Sequence, residues 1–221
     1  MSSCAPARAV RACFAEVARA IAHEHRLELL EHLGQGERRV EALAGLTKLS
    51  IANASQHLKQ LRQAGLVATR RDGKRVLYRL ADDDIVALLA SLRRVAERSV
   101  AEMERVASAY FRARDDLEPV SREDLIARLK DGSTTLLDVR PEDEYALGHL
   151  PDALNIPLPE LERRLAELPP GHLIVAYCRG PYCVLSFEAV AALRARGFNV
   201  RRLEDGYPEW KAAGLPVQDA A

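Results

Sequence analysis

The spacing of apolar residues changes character along this chain, and its last change divides the molecule. From about Ala7 to Leu33 apolar positions recur three and four apart, at Val10, Phe14, Val17 and Ile21 and then Leu27, Leu30 and Leu33, as one face of a helix requires. After Gly65 the stretch "LVATRRDGKRVLYRL" alternates apolar and polar on both sides of Asp72-Gly73, a two-residue hairpin signal. Helical spacing returns from about Asp83 to Arg114 and stops in "RDDLEPV". From there to the end, helical and strand-like stretches alternate, a pattern that calls for a small parallel α/β sheet. A chain of 221 residues has room for two modest domains. The expected division is 1–116, mainly α with a β-hairpin, and 117–221, α/β, with the linker near Asp115–Pro119.

Within the first part, "GQG" at Gly34–Gly36 ends the opening helix and a short helix follows at Val40–Leu46. Ser50 is placed to cap a helix from Ile51 to about Ala64, closed by Gly65. The segment from Asp83 to Arg114 carries Ile85, Leu88, Leu89, Leu92, Val95, Val100, Met103, Val106 and Tyr110 on a stripe too long to cover by itself, which points to a partner subunit. In the second part, helices are expected at Arg122–Lys130, Glu142–Leu147, Glu160–Leu168 and Val184–Arg196. Strands are expected in "TTLLDV", around Ala153–Ile156, in "HLIVAY" and in "NVRRL".

Charge separates the two parts. The chain is neutral overall, yet residues 1–116 hold 20 Lys and Arg against 15 Asp and Glu, and the remainder holds 12 against 17. Between Leu46 and Leu80 there are eight basic residues, Lys48, Lys59, Arg62, Arg70, Arg71, Lys74, Arg75 and Arg79, and one acid, Asp72. A local excess of +7 points to a polyanion such as nucleic acid, because a merely solvated face mixes both signs. No apolar run approaches the roughly 20 residues that span a bilayer, and "MSSCAPARAVRACF" has no secretory layout, so a cytoplasmic protein without a membrane partner is expected.

Two short helices, the second capped, followed by a basic hairpin, describe a winged helix-turn-helix. The stretch "LSIANASQHLKQLRQAGLVATRRDGKRVLYRL" resembles the ArsR family of bacterial repressors over roughly Ala22 to Leu80. That resemblance implies a homodimer built on its terminal helices and bound to an inverted repeat of double-stranded operator DNA. It sets Ile51, Ala52, Asn53 and Gln56 toward the major groove behind the cap at Ser50, with Ser55 and His57 nearby. Asn53 and Gln56 are the base-reading candidates, since an amide pairs bidentately with adenine. Lys59, Arg70, Arg71, Lys74 and Arg75 would meet phosphates. His57 also has a plain reading as a helix-surface or capping residue. Metal-sensing members carry Cys-x-Cys before the turn, or His ligands on the last helix. Here "ERRVEALA" has no cysteine and the last helix no histidine, so no metal site is expected, and His23, His25 and His32 are read as surface or core residues.

The four cysteines are too few for a disulfide scaffold and lack the paired spacing of structural zinc. Cys13 sits beside Phe14 and Val17 and reads as a small core residue, with Cys4 in the chain's start. Cys178 and Cys183 instead bracket a glycine and a proline in "YCRGPYC", between a strand and a helix.

From about Val120 to Val217 the chain resembles a single rhodanese domain, through "LLDVRPEDEYALGHLPDALNIP", "IVAYCRGPYC" and "LEDGYPEWKAAGLP". The resemblance implies sulfane sulfur carried on Cys178 at the tip of a strand, in a six-residue loop running into a helix. Backbone amides and the helix N-terminus favour a thiolate or persulfide there. Arg179 is a candidate second anion contact. Asp138 and Arg140 match the pair that supports the pocket wall, while Glu144 and His149 read as helix-start and turn residues. The sixth loop position is Cys183, a candidate resolving thiol for Cys178, and Pro181 removes one amide from the cradle. Phosphatases that share this fold need an arginine where Val184 stands, so ester hydrolysis is not expected.

Two functions fit. One is a repressor that responds to reactive sulfur or thiol redox state, its small-molecule partner being a sulfur donor or a thiol. The other is a thiosulfate or persulfide sulfurtransferase whose winged helix serves localisation or dimerisation. Neither requires a cofactor.

Overall fold

The structure is a computed structural model that describes residues 4–115, 119–132 and 134–219. The side chain of Cys4 and residues 116–118 of the expected linker lie outside the described residues. The chain gathers into two compact units, Met1–Leu89 and Ala90–Ala221. Residues 90–115, assigned by sequence to the first domain, pack with the second.

In the first unit the single helix expected over 7–33 is two, α1 (Cys4–Ile21) and α2 (Glu24–Gly34). His23 makes the break. Its backbone is extended, and its Nδ1 accepts the amide of His25, satisfying one of the donors that the start of α2 leaves open. Next come α3 (Val40–Leu46) and α4 (Ile51–Gln63), the latter capped by Ser50, whose Oγ accepts the Asn53 amide at 3.2 Å. Strands β2 (Val67–Asp72) and β3 (Arg75–Leu80) form the hairpin. Asp72 pairs with Arg75, so the turn is Gly73-Lys74, one residue later than the sequence pattern indicates. Gly73 takes the positive φ of 60° that a glycine-first turn needs. A two-residue strand β1 (Arg38–Arg39), too short to show a period, pairs with β3 and completes an antiparallel sheet in the order β1-β3-β2.

The core of this unit is Leu29, Leu30, Leu43, Leu58 and Leu61, closed by Leu66, Leu80 and Ile85. Helix α1 contributes little to it. Val10 and Phe14 are 51% and 68% exposed, and Cys13, expected in the core, is an exposed free thiol. The apolar stripe of α1 is buried at Ile21, but among the described residues of a single chain nothing covers Val10 and Phe14.

Helix α5 (Asp84–Ser99) begins in the first unit, where Ile85 and Val86 are buried, and ends in the second. The continuous helix expected to Arg114 is interrupted. Val100 is extended (φ −113°, ψ 104°), and α6 (Ala101–Val106) and a π-helical turn (Ala107–Arg112) follow. Ser99 and Val100 are both weak helix formers, one through competing hydrogen bonds and one through β-branching.

The second unit holds α7 (Arg122–Leu129), capped by Ser121, then β4 (Thr134–Asp138), α8 (Glu142–Tyr145), β5 (Leu154–Asn155) and β6 (Leu173–Tyr177). The chain ends with α9 (Val184–Arg194), β7 (Val200–Arg202) and α10 (Tyr207–Ala212). The helix expected at Glu160–Leu168 is instead two 3₁₀ turns, Leu158–Arg163 and Leu165–Glu167. Pro157 and Pro159 precede the expected segment, and Pro169 and Pro170 end it. The sheet is parallel throughout, in the order β5-β4-β6-β7. Successive residues of a strand face opposite sides, and both faces of this sheet are dry. Ile174, Ala176 and Cys178 pack with Leu137 under Ala189 and Leu193, while Val175 and Tyr177 pack with Leu136, Leu125 and Trp210. Cys178 thus continues the buried side of β6 by one step. No helix among the described residues is long and apolar enough to cross a membrane.

Candidate functional site

The chemistry-bearing residues fall in two places, one per unit. In the first, α4 buries Ala54, Leu58 and Leu61 and turns Ile51, Ala52, Asn53, Gln56 and Lys59 outward. Ser55 and His57 lie at its flank, half-buried. The hairpin carries Arg70, Arg71, Lys74 and Arg75, all exposed. Arg70 is paired with Glu37 at 2.5 Å, and Arg79 approaches the same carboxylate at 3.8 Å, a contact between separate elements that the sequence pattern did not reveal.

His57 belongs to a group of three. Its ring centroid lies 4.6 Å from that of His23 and 5.9 Å from that of His25, and its Nδ1 has no hydrogen-bond partner among the described residues. Among the described residues no group of three His, Cys, Asp or Glu side chains is placed to hold a metal ion. Burial, then the neighbouring His23, Arg26 and His25, lower the pKa of His57 below the ordinary histidine value of 6.5. The folded form therefore binds fewer protons than the unfolded chain just below pH 6.5, and stability conferred at neutral pH is lost as pH falls through that window. Thermal melts of wild type and His57→Gln at pH 7.5 and 5.5 check this. The variant is expected to lose less on acidification, and equal losses would sink the assignment.

In the second unit Cys178 follows the last residue of β6 and is 1% exposed. The loop 178–183 leads into α9, with Cys183 at its N-cap. The structure joins the two cysteines as a disulfide, with Cα atoms 6.2 Å apart. The Cys183 amide donates to the Gly180 carbonyl at 3.1 Å, and the Tyr207 amide donates to the Cys178 carbonyl at 3.0 Å, which fixes the loop from inside and from α10.

Arg179 does not stand open to an anion. Its Nε and Nη2 form a fork on Glu144 at 2.8 Å, and the Glu144 side chain is fully buried. Glu144, read from sequence as a helix-start residue, is thus also the acid that holds the cysteine loop to α8. Asp138 and Arg140 are both fully buried. Arg140 donates through Nη2 to Asp138 at 2.6 Å and to the Gly148 carbonyl at 2.8 Å, and its guanidinium lies 4.4 Å from the Tyr207 ring centre. Burial alone pulls the pKa of Arg140 down, but its hydrogen bonds and ion pair with Asp138 outweigh that and hold it above the usual value. Burial, followed by Asp138, drives the Tyr177 phenol well above its usual value, so it stays a donor, here to be set against the Leu150 amide that it accepts at 3.1 Å.

Sequence reasoning missed Glu209, which accepts from the amide of Gly206 and the guanidinium of Arg93. It also missed Gly206 itself. A Cβ there would overlap the Gly180 amide nitrogen and lie 2.5 Å from the Arg179 carbonyl carbon. The glycine in "GYPEW" is therefore a contact of the cysteine loop, a fact visible only once α10 is folded onto it.

Comparison with known proteins places both halves. Residues 23–69 match the bacterial regulatory protein, arsR family, and residues 121–213 match the rhodanese-like domain. The chain is 44% identical over 207 residues to the HTH-type transcriptional regulator Rv0324 of Mycobacterium tuberculosis, covering 94% of this chain and 91% of that one. A sulfurtransferase of Allochromatium vinosum is 36% identical over 100 residues, 44% of this chain and 92% of its own length. Among solved structures, the homodimeric winged helix-turn-helix DNA-binding domain Mb0332 of Mycobacterium bovis is 37% identical, covers 46% of this chain and 92% of its own, and has a TM-score of 0.41. With a relative matched across nearly the whole of both lengths, the chain belongs to the arsR family of bacterial regulatory proteins, as a member that carries a rhodanese-like domain behind its helix-turn-helix.

Proposed function

We propose that this protein is a dimeric repressor of operator DNA whose affinity is set by reactive sulfur at Cys178. The observation that carries this is the pairing of Cys178 with Cys183 in the sulfur loop of a chain that also presents a polar recognition helix and a basic hairpin. Asn53 and Gln56 read base edges, while Lys59, Arg71, Lys74 and Arg75 meet phosphates. The exposed apolar residues of α1 and of α5, Phe14, Leu88, Leu92 and Val95 among them, support a second copy as their cover.

The chemistry balances with two thiols and a polysulfide. The Cys178 thiolate attacks a sulfane sulfur of hydrogen polysulfide, taking that sulfur and expelling the shortened polysulfide. The Cys183 thiolate then attacks the Cys178 sulfur of the persulfide, forming the disulfide and releasing hydrosulfide. Two thiols are oxidised and one sulfane sulfur is reduced to sulfide. Cellular thiols reverse the step by exchange.

A sulfurtransferase is the second reading, favoured by the likeness of the second unit to the Allochromatium enzyme. Against rapid turnover stand the burial of Cys178 and the engagement of Arg179 by Glu144.

The test measures binding of wild type and Cys178→Ser to a duplex selected from a random pool by the reduced protein, with and without polysulfide. Wild-type affinity is expected to change by about 10-fold, inside the range typical of coupled sites, and the variant to stay constant. Equal affinity under all four conditions would overturn the sensor. Steady turnover of thiosulfate with cyanide, without a change in DNA affinity, would establish the enzyme instead.

A further inference from the structure

The loop between the two cysteines is gripped from outside by residues that precede the rhodanese match. Arg93, on α5, forms an ion pair with Glu209 at 3.3 Å, the two side chains being 19% and 10% exposed. Glu209 also accepts the Gly206 amide at 3.1 Å, and Gly206 packs directly on the backbone of Arg179 and Gly180. At Gly180 the direction a Cβ would take is already lined by this pair, Glu209 Oε1 at 3.6 Å and Arg93 Nη2 at 3.8 Å. Two residues on, burial and then the neighbouring Glu97 carboxylate, also on α5, raise the pKa of the Tyr182 phenol. The Tyr182 ring meets Phe111 of the π-helical turn edge-on at 5.0 Å, and Phe111 continues to Phe187 at 4.8 Å. Tyr110 donates to Glu188 on α9 at 3.2 Å.

This grip matters because, among the described residues of one chain, the segment it holds has little else. Helix α6 buries no residue, and in the π-helical turn only Ala107 is buried. Val100 and Val106 are exposed. A segment with so few buried contacts sits at the low end of local stability, where the loss of one or two contacts changes its order.

We propose that Arg93, Glu97 and Phe111 are positioning residues of the sulfur loop, and that through them the state of the Cys178–Cys183 pair sets the order of residues 90–112. With the disulfide closed, Gly180 and Tyr182 are held at their contacts. With it open, a covalent tie across the loop is gone, and the Glu97 and Phe111 contacts to Tyr182 loosen with it. The coupling is reciprocal, so contacts that order the helix also favour closure. The inference rests on the reading of these cysteines as a pair that opens and closes, and it supplies that reading with the element that carries the change away from the sulfur.

Hydrogen–deuterium exchange on the full chain tests it, in a background carrying Cys4→Ser and Cys13→Ser. The pair is closed with diamide, which takes up the two thiol hydrogens as it is reduced, or opened with a phosphine, and each state is verified by mass. Peptides within 90–112 are expected to exchange at least ~5-fold faster in the open state. In Arg93→Gln and Glu97→Ala the contrast between states is expected to fall below ~2-fold. Equal exchange of these peptides in both states of the parent chain would overturn the proposal, and so would a contrast undiminished in both variants. DNA binding is read on the same samples. An exchange response without a DNA response removes the regulatory reading and leaves this coupling standing, whereas a DNA response without an exchange response does the reverse.

Discussion

Replacing Arg140 with methionine is expected to lower the melting temperature of the second unit by on the order of 10–20 °C. The guanidinium is completely enclosed, and so is the carboxylate of Asp138 that it neutralises. Removing one partner of a buried pair leaves the other as an uncompensated charge, a loss of about 3–5 kcal/mol in comparable cases. Arg140 also holds the Gly148 carbonyl and stacks near Tyr207, so the truncation abandons an acceptor and a packed face as well. A methionine fills much of the volume, so the loss of packing is the smaller part of the effect. The companion variant Asp138→Leu with Arg140→Met is expected to recover part of the loss, because an apolar pair carries no stranded charge. Calorimetry resolves the melts, and a single variant within ~3 °C of wild type would show that the pair has no structural weight.

Substituting Gly206 by alanine is expected to abolish sulfur loading at Cys178 while leaving the first unit intact. The added methyl would collide with the Gly180 amide nitrogen, and the Arg179 carbonyl carbon and Gly180 Cα would lie 2.5 and 2.6 Å away. These are backbone atoms on both sides, so no rotamer change relieves the overlap. Either α10 withdraws, breaking the hydrogen bond from the Tyr207 amide to the Cys178 carbonyl, or the loop bends away from its place above β6. Both outcomes misplace the cysteine by a fraction of an ångström or more, and each costs about 1–3 kcal/mol of stability. Mass spectrometry after polysulfide treatment is expected to show at least ~10-fold less persulfide or disulfide than in wild type, while binding of reduced protein to DNA persists. Normal loading in this variant would mean that α10 does not shape the loop.

Much of this architecture was legible in the sequence because it follows from local pattern. The cap at Ser50, the helix Val40–Leu46 and the unbroken apolar run in "HLIVAY" each depend on a few consecutive residues. The site was legible to the extent that Cys178 sits at a strand end before a helix. What the sequence hid is of another kind. The break at His23 depends on one imidazole turning back on a nearby amide, and the break at Val100 on two weak helix formers in succession. The exposure of Cys13 reflects a stripe whose cover is missing from one chain. Glu144, Gly206 and Glu209 reach the sulfur loop across 35, 26 and 29 positions (from Arg179 or Gly180), distances over which periodicity carries no information.

The packing boundary inside α5 has a practical meaning for anyone building hybrid regulators. A graft cut at the sequence-defined junction near residue 116 would deliver the cysteine loop stripped of Arg93, Glu97 and Phe111. The transferable cassette starts at Ala90, and its docking end is a helix, so the register of the splice on the helical wheel becomes a design variable in its own right.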